Sequence, residues 1–278
     1  MSELFNKIFD IGRNYSKKVE HKITDREEFK IVRDTLVRYG MSTDFFDINL
    51  PDLYIPATMH EKGAVTGNYN ARNNSMEFTT DKYIMIHELF HMASRNPETT
   101  NDLMGVLLKD NKGNNTGMGF NEGITDYFTH LACPEYEVAY PFEEKVISIL
   151  SETFGIKVFT NHFNASPNEF YASFGKDQLF VMEISKRLDL YNKSLHQYID
   201  LFQANDLAGL IKYGNKLANN ILDGLYGVCN KLYDLLELKG IDSSKYKNEI
   251  KELLESDNNN MAQIRAIIGM SNQEEMKL

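Results

Sequence analysis

Two histidines and a glutamate carry the strongest chemical signal in this chain. His87, Glu88 and His91 form the pattern H-E-x-x-H within the apolar run Tyr83-Ile84-Met85-Ile86-His87-Glu88-Leu89-Phe90-His91. The run has helical periodicity, with Thr80 or Asp81 as the predicted N-cap. Residues four apart lie on one face of a helix, so both imidazoles can bind one cation, and neutral imidazole suits zinc. Glu88 can then reach a metal-bound water without being a ligand.

A third ligand is expected on a second helix. Glu122 and Asp126 are four residues apart in Phe120-Asn121-Glu122-Gly123-Ile124-Thr125-Asp126, and Ile124 lies on the apolar side of the same segment. A carboxylate from Glu122 would complete the three protein ligands of a catalytic zinc and leave the fourth position for water. Asp126 is placed to accept the second N–H of a ligating histidine. The alternative is that the histidines are solvated and that the acids favour a helix N-terminus.

At these residues the chain resembles the gluzincin zinc metallopeptidases, which combine H-E-x-x-H with a downstream glutamate. The segment Asn121-Glu122-x-x-x-Asp126 is similar to the N-E-x-x-x-D element of the thermolysin family, and Gly119 to Thr125 resembles small, uncharacterised bacterial members. The resemblance covers roughly residues 64–132. It implies that Glu122 is the third ligand, that Asp126 supports His87 and that Asn121 supports His91.

The expected activity is that of a zinc metalloendopeptidase. Zinc would lower the pKa of its bound water to about 7, and Glu88 would accept the proton as the water attacks a peptide carbonyl. A donor for the developing oxyanion is also required, and gluzincins use a tyrosine or histidine placed after the third ligand. The sequence does not choose among the candidates, which are Tyr136, Tyr140, His162, Tyr171 and, more weakly, His130. His21, His60 and His196 have no partner pattern and are interpreted as structural.

Composition excludes some other classes of protein. The 278 residues carry a net charge of −10, with 42% hydrophobic and 25% charged residues, which is typical of a globular protein. The sequence has no basic stripe of the kind that binds nucleic acid. It also has no segment long enough and apolar enough to span a membrane. The two cysteines are far apart in the sequence and no secretory signal is recognised, so the expected location is the cytoplasm. The alternative is export by a route that needs no classical signal. The expected partner is a protein or peptide substrate, and the oligomeric state is open.

The predicted fold is α+β and predominantly helical, with a zincin-like core and a helical C-terminal half. Residues 1–165 are predicted to form the metallopeptidase core with a helical N-terminal region, and residues 166–278 a helical subdomain packed on it. Two strands, Ala64–Asn70 and Ser75–Thr79, precede the H-E-x-x-H helix and could hold an extended substrate. A short strand is predicted near Met104–Leu108, followed by a loop, Lys109–Thr116, that is either a lid or ordinary surface.

The C-terminal half is predicted to be helical over Phe170–Leu190, Leu195–Phe202, Leu207–Leu238 and Tyr246–Leu254. It carries no motif of its own, so its apolar stripes are interpreted as core or as one wall of the substrate cleft. A second hypothesis therefore remains open, in which a zinc-stabilised protein binds a partner through its helices and catalysis has lapsed. Glu88 favours the enzyme, because a purely structural metal site gains nothing from a carboxylate beside the open position.

Overall fold

The computed structural model describes residues 26–55, 67–78, 81–98, 104–109, 115–256, 258, 261–262 and 264–266. The predicted N-terminal helix before residue 26, His21 and His60 lie outside the described residues. The described chain is predominantly helical with small antiparallel sheets, which agrees with an α+β class. Its α-helices are α1 (Glu27–Arg38), α2 (Asp44–Asn49), α3 (Lys82–Ala93), α4 (Met118–Ala132), α5 (Pro141–Phe154), α6 (Ile156–Thr160), α7 (Pro167–Ala172), α8 (Gln178–Gln203), α9 (Leu207–Leu238) and α10 (Ser244–Glu255).

Two hairpins supply the β structure. Strands β1 (Gly67–Asn70) and β2 (Ser75–Phe78) pair in the register Gly67 to Phe78 and Asn70 to Ser75. Tyr54 bridges to Ser75, on β2. Among the described residues, β1 is therefore an edge strand, with only β2 paired to it, and the backbone of Tyr69 on β1 also hydrogen-bonds Glu88.

The second hairpin corrects the prediction of a strand near Met104–Leu108. Strands β3 (Leu108–Lys109) and β4 (Asn115–Thr116) are only two residues long, and they pair Leu108 with Thr116. Gly105 adopts a left-handed φ of 55°, which ends any extended conformation before Leu108. Residues 110–114 of the predicted lid loop lie outside the described residues.

Helices α3 and α4, which carry the predicted ligands, cross in the centre of the hydrophobic core. Asp81 caps α3 by accepting the backbone N–H of Tyr83, as expected. Nine consecutive residues of α3, from Met85 to Ala93, are buried, so α3 is surrounded on all sides. Phe90 of α3 packs on Phe128 of α4, with ring centroids 6.3 Å apart. Each fully buried phenylalanine contributes about 1.5–3 kcal/mol to stability, so this crossing is rigid enough to hold a site.

Two long helices form an antiparallel pair in the C-terminal half. The prediction of a break between Leu190 and Leu195 was wrong, because α8 continues unbroken from Gln178 to Gln203. Its sequence contains no proline or glycine, and Tyr191 and Ser194 keep the buried stripe in phase across the expected break. Gly224 of α9 lies so close that an added Cβ would be 2.7 Å from the backbone nitrogen of Tyr191. The pair therefore packs backbone to backbone next to Tyr191.

Helix α8 joins the C-terminal half to the site by capping α4. The N-cap residue of α4 is Gly117, which offers no side chain and has φ 87°. Asp189 of α8 replaces that cap, because its carboxylate accepts the backbone N–H groups of Gly117 at 2.6 Å and Gly119 at 3.0 Å. The start of the helix that carries Glu122 is thus fixed by a residue 72 positions after its N-cap Gly117. The division at residue 165 stays a prediction.

In the part of the chain that the structure describes, no helix is both long enough and apolar enough to span a bilayer.

Candidate metal centre

The structure brings His87, His91 and Glu122 together at one point. His87 Nε2 lies 3.1 Å from His91 Nε2, and Glu122 Oε2 lies 3.3 Å from the first and 3.1 Å from the second. Nitrogen and oxygen ligands that surround a tetrahedral zinc at 2.0–2.1 Å are about 3.3 Å apart. The three atoms therefore already have the spacing of a metal-binding group, and they are the ligand set that the sequence predicts.

The environment of His87 fixes which ring nitrogen faces the other two ligands. Its Nδ1 lies 2.7 Å from Asp126 Oδ1, and a carboxylate accepts from an N–H. Neutral His87 then carries its proton on Nδ1 and presents a lone pair at Nε2. Burial lowers the pKa of His87, but Asp126, Glu122 and Glu88 together outweigh burial and hold that pKa well above its usual value. Asp126 therefore supports His87, as the sequence predicts.

Two residues of α4 do the same for His91. Thr125 Oγ1 donates to the backbone carbonyl of Asn121 at 3.0 Å, which leaves a lone pair to accept from His91 Nδ1 at 3.2 Å. The Asn121 amide lies 3.2 Å from the same Nδ1. Turning that amide by 180° would give the Nδ1–H a second acceptor and would also give a partner to Asn121 Oδ1, which is buried with none in the described chain. Asn121 was predicted; Thr125, one turn further along the same helix face, was not.

When a cation is bound and both rings are neutral, two imidazole lone pairs and one carboxylate oxygen would converge on one point. Glu122 is held in its charged form, because burial would raise its pKa but the facing His91 and His87 hold it well below the usual range. The chemistry of this donor set fits a divalent cation, and two imidazoles with one carboxylate is a combination used by catalytic zinc sites. His87, His91 and Glu122 are the residues that could hold such an ion.

Glu88 is not a member of this group, but it lies close enough to feel the charges of His87, His91 and Glu122, and it lines a cavity. The cavity has a volume of about 310 Å³, and His87 and Glu88 both line it. Glu88 is 6% exposed, and burial raises the pKa of its carboxyl. β1 begins directly above it, since a Cβ added to Gly67 would lie 2.6 Å from Glu88 Oε1. Only glycine fits at that position without moving Glu88.

The structure shows which of the predicted oxyanion donors line the cavity and which are already hydrogen-bonded elsewhere. Tyr140 and Tyr136 line the cavity, but the Tyr136 hydroxyl already donates to Asp126 at 2.9 Å. Tyr171 is bonded to Ser185 instead, and His130 to Glu144. Tyr140 stacks on His87, with ring centroids 5.9 Å apart and an interplanar angle of 26°. Burial raises the pKa of Tyr140 well above its usual value, so its hydroxyl remains a donor.

His162 lies next to the centre but outside the cavity lining. It is 1% exposed, and neither ring nitrogen has a hydrogen-bond partner among the described residues. Burial, with a further contribution from His91, lowers the pKa of His162 to about 3, so the ring is neutral. Its position against Phe163 and Phe170 makes it part of the aromatic core.

Helix α8 and the C-terminal segment close the far side of the cavity. His196, predicted to be structural, lines it instead, and its ring lies 5.9 Å from that of Tyr140. No local pattern predicts this position, because His196 is separated from Glu88 by more than a hundred residues. The cavity is also lined by Glu143 of α5, by Tyr191, Leu195 and Ile199 of α8, and by Met261 and Ile264.

Comparison with known proteins adds nothing to this geometry: no protein-family model, curated protein or solved structure matches the chain significantly.

Proposed function

We propose that the protein is a zinc-dependent metallopeptidase of the gluzincin type, with a zincin-like core formed by β1, β2, α3 and α4. The observation that carries the proposal is the position of Glu88. Its carboxylate lies beside the group His87, His91 and Glu122, faces a cavity and is not part of the ligand set. A site built only to stabilise the fold has no use for that arrangement, whereas hydrolysis requires it.

Each step of the proposed reaction can be assigned to a residue of the site. His87, His91 and Glu122 would hold the metal, which would supply Lewis acidity and make a water molecule acidic enough to react near neutral pH. Glu88 accepts a proton from the attacking water as its oxygen bonds to the peptide carbonyl carbon. Tyr140 donates its hydroxyl hydrogen to the carbonyl oxygen as negative charge develops there. Glu88 then transfers the proton to the amide nitrogen, the C–N bond breaks, and a carboxylic acid and an amine are released.

The edge strand β1 supports a peptide as the substrate. Gly67, at the start of β1, lines the cavity beside Glu88. The backbone of β1 is paired only with β2 among the described residues. An extended chain could add to this edge by main-chain hydrogen bonds, which recognise a peptide independently of its side chains.

The alternative function is a zinc-stabilised interaction protein without catalysis. One observation favours it: Phe202, Leu207 and Ile211, at the turn between α8 and α9, are 65%, 70% and 86% exposed. Exposed apolar side chains of this kind occur at protein interfaces. They do not account for Glu88, and the metallopeptidase is therefore the better supported function.

Replacing Glu88 by glutamine separates the two functions. Glu88→Gln should keep the fold and the metal, because the side chain is not a ligand, and should lower the rate of hydrolysis by about 10²–10⁴-fold. The measurement is the fragment pattern of a proteome digest, with metal content determined in parallel. Glu77→Gln, which changes an exposed carboxylate on β2, is the matched control and should cut as the wild type does. Identical fragment patterns for wild type and Glu88→Gln would leave the interaction protein as the better explanation.

A further inference from the structure

Three polar atoms behind the metal centre are buried without hydrogen-bond partners among the described residues. They are Asn121 Oδ1 and both ring nitrogens of His162. Asn121 is 0% exposed and His162 is 1% exposed, so bulk water reaches neither side chain. Buried polar groups are almost always hydrogen-bonded, so these atoms require an explanation.

The side chains of Asn121 and His162 are neighbours at Gly105. A Cβ added to Gly105 would lie 2.0 Å from His162 Cε1 and 2.3 Å from Asn121 Oδ1, so any other residue would displace both side chains. The left-handed φ of 55° also favours glycine here. The backbone N–H of Gly105 donates at 2.9 Å to the carbonyl of Ser94, the C-cap residue of α3. The segment that brings the two side chains together is therefore fixed to the end of the helix that carries His91.

The position of His91 determines which end of the Asn121 amide should face it. His91 presents Nε2 to Glu122, so a neutral, ligating His91 carries its proton on Nδ1. The Asn121 amide lies 3.2 Å from that Nδ1 and can accept the N–H only through its oxygen. With the oxygen turned to His91, the amide N–H₂ takes the place that faces His162. A buried N–H₂ at this place needs an acceptor.

The imidazole of His162 can supply that acceptor. Turning the ring by 180° exchanges Cε1 with Nε2, which brings Nε2 to the position beside Gly105 and Asn121. Burial, with a further contribution from His91, lowers the pKa of His162 to about 3, so the ring is neutral and keeps one lone pair. Phe163 and Phe170 pack against the ring, with centroids 4.8 Å and 6.4 Å away, and hold it in place.

We propose that His162 is a positioning residue of the metal centre, which accepts a hydrogen bond from the Asn121 N–H₂ and thereby directs the Asn121 oxygen at the Nδ1–H of His91. The inference rests on the proposed function, because it takes His91 as a metal ligand. Asp126 orients His87 with a carboxylate, both of whose oxygens accept. An amide has one accepting and one donating end, so Asn121 orients His91 only if another residue fixes which end faces it. His162 provides that second contact.

Zinc affinity, measured by competition against a chromophoric chelator, tests the positioning role. His162→Phe keeps an aromatic ring and removes both nitrogens, so it should lower the affinity about 10-fold, the low end of the effect of losing an outer partner of a ligand. His130→Phe is the control, because His130 pairs with Glu144 instead, and it should bind zinc as the wild type does. In Asn121→Leu, which has no amide to orient, adding His162→Phe should cause no further loss. An unchanged affinity of His162→Phe, or the same loss with and without the Asn121 amide, would overturn the proposal.

The ¹⁵N resonances of the histidine rings test the hydrogen bond itself, even if His162→Phe does not fold. In the full-length chain, with and without zinc, His162 Nε2 should be unprotonated, and Asn121→Leu should shift its resonance while that of His130 stays in place. A proton on His162 Nε2, or a resonance that does not respond to Asn121→Leu, would contradict the proposal. No cleavage is measured, so the hydrolase can stand if this hydrogen bond is absent. If the wild type binds no zinc, the metallopeptidase proposal fails and the spectrum of the metal-free chain still shows whether His162 accepts from Asn121.

Discussion

Replacing Asp126 by asparagine tests whether this buried carboxylate holds the metal centre in shape. Asp126 is 0% exposed and accepts from His87 Nδ1 at 2.7 Å, from the Tyr136 hydroxyl at 2.9 Å and from the backbone N–H of Tyr140. All three partners are donors, whereas an amide offers only one oxygen. If that oxygen stays with His87 and Tyr136, the amide N–H₂ faces the N–H of Tyr140. If the amide turns, His87 and Tyr136 both lose their acceptor. At least one buried donor is left unpaired in either case, at a cost of about 1–3 kcal/mol.

The loss should appear in metal affinity, because His87 would no longer be held in the ligating tautomer. Loss of such a partner typically lowers metal affinity by about 10–100-fold, which corresponds to about 1.4–2.8 kcal/mol of binding free energy. The assay is competition for zinc against a chromophoric chelator at neutral pH. Tyr136→Phe is the graded control, since it removes one donor and keeps the carboxylate, and it should lose less than Asp126→Asn. A zinc affinity of Asp126→Asn equal to wild type would remove Asp126 from the centre.

Two further predictions concern residues that line the cavity. Tyr140→Phe should keep zinc and lower kcat by about 10²–10³-fold, the usual effect of losing one oxyanion donor, and a kcat equal to wild type would refute the role of Tyr140. Glu143 titrates at about 7 in the folded chain against 4.5 in the unfolded one, so the folded state binds more protons between these values. The contribution of Glu143 to the free energy of unfolding should therefore fall as the pH rises from 4.5 to 7. The expected decrease is about 3 kcal/mol, at 1.36 kcal/mol per pKa unit, and above pH 7 this contribution should stay constant. Denaturant titrations of wild type and Glu143→Gln across that range measure the difference, and parallel pH profiles would contradict it.

The convergence of His87, His91 and Glu122 was predictable because its signals are local. The four-residue spacing of His87 and His91 is a property of any α-helix, and Glu122 and Asp126 repeat it on α4. Helix ends were predictable for the same reason: α1 ends before Gly40, whose φ is 72°, and α5 ends at Gly155, whose φ is 86°.

The cavity was not predictable, because its walls meet only in the folded chain. Tyr191 and His196 occupy unremarkable positions of a long helix, and nothing in their neighbourhood indicates that they face Glu88. The cap that Asp189 gives to α4 is equally invisible in sequence, because the usual signal is a polar side chain at the N-cap and Gly117 has none. Thr125 could have been found, since it lies four residues after Asn121 on the face that meets His91.

The metal itself tests the central claim most directly. Protein purified without added metal should contain one zinc per chain, and its X-ray absorption spectrum should show nitrogen and oxygen ligands at about 2.0–2.1 Å without sulfur. The double variant His87→Ala, Glu122→Ala should lose the zinc, whereas His130→Ala, which changes a histidine of α4 outside the centre, should retain it. Zinc content unchanged in the double variant, or a sulfur ligand in the spectrum, would contradict the assignment of His87, His91 and Glu122.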